Sequence, residues 1–64
     1  MDVLDYCWLV LELLLEVDVC PEQGLLYRVD LAKARLAVSR CCCGESDVGL
    51  AIAEEIAKRW QLPV

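Results

Sequence analysis

The stretch from Val3 to Val19 constrains the fold more than any other part of the chain. On a helical wheel its acids Asp5, Glu12 and Glu16, with Asp2 just ahead of them, fall on one narrow stripe that also contains Leu9. Nearly every other position is apolar, over an arc of roughly 240°, whereas an ordinary surface helix buries an arc of about 100°. Cys7 and Leu14 mark the middle of the arc. Trp8 and Leu15 lie toward one edge, Tyr6 and Leu13 toward the other. One neighbouring helix cannot cover so wide an arc, so a second packing surface is expected there.

Two breaks divide the remainder. Cys20-Pro21 ends the first helix, because a residue before proline is pushed out of the α region, and Pro21 suits the first position of the next helix. Gly24 weakens that first turn. Gly44 stops the second helix as a residue of the kind that ends helices in the left-handed conformation. Ser46 or Asp47 caps a third helix, which Pro63 closes. The expectation is a single small helical domain over residues 1–64, with helices at about 3–19, 22–42 and 47–61. The fold class is all-α: an antiparallel helical hairpin plus a third helix, a small three-helix bundle.

The helices differ in character. On the third, Val48, Gly49, Ile52, Ala53, Ile56 and Trp60 share a face opposite Asp47, Glu54 and Lys58, the pattern of an ordinary amphipathic surface helix. Glu54–Lys58 and Glu55–Arg59 stand at the i,i+4 spacing that favours ion pairs. The second helix has two apolar faces. Leu25, Val29, Ala32, Leu36 and Cys43 form one, and Tyr27, Leu31, Ala34, Val38, Cys41 and Cys42 form the other. Arg28 and Arg35 divide them on one side, Lys33 and Arg40 on the other. A helix so patterned is expected to sit between two neighbours.

Length makes the apolar surplus consequential. A chain of 64 residues is 59% apolar, against about 45–50% in soluble domains. A domain this small hides only about 60% of the surface its unfolded chain exposes. The bundle is therefore expected to be completed by oligomerisation or by a partner that covers an apolar patch.

Charge and residue usage exclude several functions. The net charge is −5. Residues 1–24 carry acids only, residues 25–44 carry Arg28, Lys33, Arg35 and Arg40 against Asp30, and the last segment is again mainly acidic. Such a chain is repelled by phosphate backbones. A helix–turn–helix DNA-binding reading fits the size, but the four cations frame no single groove-reading face, and Glu45 and Asp47 occupy the second turn. The sequence has no His, the commonest general base and metal ligand. Adjacent Glu54 and Glu55 diverge on a helix and cannot share a proton. No catalytic residues, cofactor or metal site are expected.

Five cysteines invite a metal or redox role. No pair has the spacing of a structural zinc site, and no C-x-x-C redox motif occurs. Cys41 and Cys43 point about 200° apart on a helix. An odd cysteine count argues against a disulfide framework, so the thiols are expected to act as small buried apolar residues. The amino-terminal stretch has Asp2 and Asp5 where a signal peptide has basic residues. The longest apolar run, Tyr6 to Leu11, falls far short of the roughly 20 residues of a membrane span. A cytoplasmic protein without a membrane partner is expected.

Two functional readings follow. The first is a non-catalytic protein–protein interaction module, of adaptor, chaperone-like or regulatory-inhibitor type, docking on a larger protein or on itself through Leu4, Trp8, Leu11 and Leu15. The alternative is an acidic blocking protein of mobile-element type, such as an anti-defence or anti-CRISPR inhibitor. It would present Asp5, Glu12, Glu16, Glu54 and Glu55 to the nucleic-acid-binding site of a target enzyme.

Overall fold

The structure, a computed structural model, describes residues 2–64. Three α-helices account for most of them: α1 (Val3–Leu15), α2 (Gly24–Cys42) and α3 (Ser46–Arg59), with a single 3₁₀ turn at Pro21–Gln23 leading into α2. The chain runs up, down and up. Cys7 lies beside Cys41 and Leu14 beside Tyr27, so α1 and α2 are antiparallel. Asp30 meets Arg59 while Gly49 abuts Ala37 and Cys41, so α2 and α3 are antiparallel as well.

The helix ends have local causes. Cys20 is extended, with ψ 146°, as the following proline requires, and the 3₁₀ turn then passes into α2 at Gly24. Gly44 has φ 87°. Around it the Glu45 amide donates to the Arg40 carbonyl at 2.8 Å and the Gly44 amide to the Cys41 carbonyl at 3.2 Å. These are the paired bonds of a Schellman stop. The same device ends α3. Gln61 has φ 52°, and the Leu62 and Gln61 amides donate to the carbonyls of Ala57 and Lys58.

α1 stops at Leu15, four residues before the expected Val19. Two features favour this. Glu16 and Asp18 place negative charge at the end of a helix whose last turn holds no base, which the helix dipole disfavours. The Leu14 carbonyl is also taken by the Tyr27 hydroxyl, which donates to it at 2.9 Å. α3 likewise covers Ser46–Arg59 rather than residues 47–61, with Glu45 in the cap position.

Cys7, Val10, Leu11 and Leu14 of α1, Ala34, Ala37 and Val38 of α2, and Ala53, Ile56 and Ala57 of α3 make one core. Full burial of a side chain such as Leu14 or Ile56 contributes about 1.5–3 kcal/mol. Small residues bring α2 and α3 close. A Cβ on Gly49 would lie 2.6 Å from the Ala37 carbonyl oxygen and would overlap the Cys41 sulfur. Both α2 and α3 pack on α1, so the second surface demanded by its wide apolar arc comes from within the chain. The accessible area of 4264 Å² is close to the roughly 4100 Å² of a folded monomer of this mass.

α2 departs from its expected role. Asp30, Ala34, Ala37 and Val38 are buried, and Tyr27, Leu31 and Cys41 are half-buried, all toward α1 and α3. The opposite face has no neighbour within the chain: Leu25, Val29, Ala32, Leu36 and Cys43 are exposed. The helix has both its neighbours on one side, not one on each.

Candidate interaction surface

The outward face of α2 is an apolar row bordered by cations. Leu25 is 76% exposed, Val29 44% and Leu36 42%. Their positions i, i+4 and i+11 stack along one side of the helix. By the same periodicity Arg28 and Arg35 border the row on one side, and Lys33 and Arg40 on the other. All four cations are exposed. Arg40 pairs with Glu45 at 3.1 Å, whereas Arg28, Lys33 and Arg35 enter no ion pair among the described residues. An exposed row of leucine and valine is costly in water and marks a contact surface when it is contiguous.

The residues first expected to dock are divided. Trp8 and Leu15 are exposed, at 47% and 55%. Leu11 is buried in the core and Leu4 packs half-buried against it, because α2 and α3 together cover most of the arc. Leu11 is therefore a core residue and contributes nothing to an outward face. Asp5, Glu12, Glu16, Glu54 and Glu55 are all exposed. Glu55 accepts from Arg59 Nη2 at 2.7 Å, while Glu54 and Lys58 form no ion pair among the described residues.

One charge is buried, contrary to the solvated position its neighbours in the sequence suggest. Asp30 is fully buried, with both carboxylate oxygens 2.7 Å from Arg59 Nη1, and Trp60 Nε1 donates to Oδ2 at 2.8 Å. The Asp30 carboxylate pushes the Arg59 pKa up from its ordinary value. The Trp60 ring meets Tyr27 edge-on at 5.8 Å, and Tyr27 in turn holds the end of α1. The cluster ties all three helices together at one end. Its carboxylate is saturated with donors inside the protein, so its chemistry is structural. A weak signal existed: Asp30 lies four residues before Ala34 and seven before Ala37, on the core row.

The thiols are dispersed. Cys7 and Cys41 approach to 3.3 Å between sulfurs. Burial, with help from the Cys41 contact, raises the Cys7 pKa to about 12, so this thiol is a poor nucleophile at neutral pH. Cys20, Cys42 and Cys43 are exposed, contrary to the expectation that the cysteines fill the interior. The helix continues through Cys42 and turns Cys41 inward and Cys43 outward. Among the described residues no three Cys, Asp or Glu side chains converge to hold a metal ion.

An open cavity of about 340 Å³ lies between α1 and the end of α3, lined by Tyr6, Glu54, Ala57, Lys58, Leu62 and Val64. Burial, then the negative charge of Glu54, pushes the Tyr6 hydroxyl pKa up. That direction suits neither general base nor nucleophile near neutral pH. No helix among the described residues is long and apolar enough to cross a membrane. Comparison with known protein families, curated proteins and solved structures finds no match for this chain.

Proposed function

We propose that the chain is a non-catalytic protein–protein interaction module that works in the cytoplasm through an apolar helix face. The observation that carries this is the outward row of α2, where Leu25, Val29 and Leu36 stand exposed on the side opposite the core. The absence of His and the donor-saturated Asp30 carboxylate support a binding role over a catalytic one. Trp8 and Leu15 extend the apolar surface on α1.

Sizing of the chain in host extract tests this. Wild type should travel in an assembly larger than its own 7.2 kDa. The Leu25→Glu/Leu36→Glu double variant should keep its helicity, because both side chains are exposed, and should travel alone. Wild type that runs as a free chain both in extract and when purified overturns the proposal.

The acidic blocking reading draws support from one feature, the exposure of Asp5, Glu12, Glu16, Glu54 and Glu55. It requires binding that weakens steeply with ionic strength and survives the Leu25→Glu/Leu36→Glu change.

A further inference from the structure

The outward faces of α1 and α2 are opposite in charge and alike in spacing. On α1, Trp8 and Leu15 stand seven residues apart beside Asp5, Glu12 and Glu16. On α2, Val29 and Leu36 stand seven apart beside Arg28, Lys33 and Arg35. At 1.5 Å per residue each apolar pair spans about 10 Å. None of these six charged side chains has an ion-pair partner within the chain among the described residues.

We propose that the occupant of the outward face of α2 is the outward face of α1 from a second copy of this chain, the two copies exchanging these faces about a two-fold axis. The proposal rests on reading the α2 row as a docking surface, and charge selects the partner. Two α2 rows laid together would oppose Arg28, Lys33 and Arg35 with their own copies, and two α1 faces would oppose acids with acids. Like-charge juxtaposition across an interface costs about a hundredfold or more in affinity. Pairing α1 with α2 is the one self-contact of the three that sets acids against bases. A two-fold arrangement makes the contact twice and leaves neither face open.

Position agrees. Tyr6 of α1 lines the cavity beside α3 and its following residues, and Trp8 lies about 200° round the helix from Tyr6. Trp8 and Leu15 therefore sit on the edge of α1 away from α3, the edge shared with α2. Both faces belong to the two-helix side of the bundle, where a second copy can meet them together. An anionic membrane surface, the other match for an apolar row bordered by cations, would meet the α1 acids on that same side.

Complementary charge reversal tests the proposal. Purified wild type, followed by sedimentation from about 1 µM to about 1 mM, should pass from one chain mass to two and dissociate as salt is raised. Arg28→Glu/Arg35→Glu and Glu12→Lys/Glu16→Lys alter exposed residues and should keep wild-type circular dichroism. Each alone should raise the dissociation constant by about a hundredfold or more. An equimolar mixture of the two should dimerise again, because acidic α1 then meets basic α2 and basic α1 meets acidic α2. Wild type that stays a monomer throughout, a dimer that both reversals leave intact, or a mixture that stays monomeric overturns the proposal. So does capture of the wild-type monomer by phosphatidylserine vesicles. If the purified chain is monomeric yet joins a different protein in extract, and Leu25→Glu/Leu36→Glu abolishes that, the docking surface stands and the second copy is refuted.

Discussion

Replacing Asp30 with Ala removes the acceptor on which Arg59 and Trp60 converge. The carboxylate is fully buried and takes three contacts of 2.7–2.8 Å, two from Arg59 Nη1 and one from Trp60 Nε1. Breaking a buried pair by deleting one partner typically costs about 3–5 kcal/mol, because the other partner is left stranded. Here Arg59 is 32% exposed and keeps Glu55, so its head group can turn to water. Trp60 is half-buried and loses its acceptor with less freedom to recover. The cost should fall near the lower bound, about 3 kcal/mol. A domain of this length holds roughly 3–10 kcal/mol in all, so the variant should be largely or wholly destabilised. Urea unfolding followed by circular dichroism measures this, with Trp fluorescence reporting the loosened Trp60–Tyr27 contact. Asp30→Asn keeps the shape and one acceptor and should fall between wild type and Asp30→Ala. If Asp30→Ala unfolds within about 0.5 kcal/mol of wild type, the size of an unremarkable surface change, the cluster does not hold the helices together.

Other outcomes follow from the same packing. Gly49→Ala drives a methyl group into the Ala37 carbonyl and the Cys41 sulfur and should cost about 1–3 kcal/mol or more; an unchanged urea midpoint contradicts the close approach of α2 and α3. Gln61→Gly relieves a left-handed residue at φ 52° and should raise stability by roughly 1 kcal/mol, whereas a loss would show that the Gln61 side chain matters. Alkylation of the native protein, read by mass spectrometry, should modify Cys20, Cys42 and Cys43 first and Cys7 last. The Cys7 pKa, raised from 9.0 to about 12, means that the folded state holds this proton more tightly than the unfolded chain. Its contribution is complete below about pH 9 and is lost as pH rises toward 12, so Cys7→Ala should flatten the alkaline fall in stability. Trp8→Ala should leave helicity near wild type, since the ring is half exposed, and should weaken association by about 2 kcal/mol; lost helicity places Trp8 in the core.

The breaks in the chain were plain in its residues. Pro21 and Gly44 act locally, through backbone sterics and a left-handed turn, and local causes leave local signatures. The end of α1 was less legible because Val17 and Val19 continue the apolar pattern, while the bond that helps to end the helix comes from Tyr27 on another helix. Asp30 was hidden for a similar reason: its partners Arg59 and Trp60 lie 29 and 30 residues away, and a lone acid among bases reads as a solvated charge. The two apolar faces of α2 are plain in its residues, but both neighbouring helices cover the same one. A wheel shows that a face needs covering and does not show which element covers it. The close packing of small residues on α2 and α3 put α1 and α3 on one side and left Leu25, Val29 and Leu36 outside.

In the self-associated protein the outward row of α2 is buried against the outward face of α1 from a second copy of the chain. A dilution series of amide proton–nitrogen spectra tests it residue by residue. As concentration rises, the resonances of Leu25, Val29, Ala32 and Leu36 should shift together with those of Trp8 and Leu15, while the buried Gly49, Ala53 and Ile56 stay fixed. Spectra that do not change with concentration, or shifts confined to Glu54, Lys58 and the exposed side of α3, would contradict it.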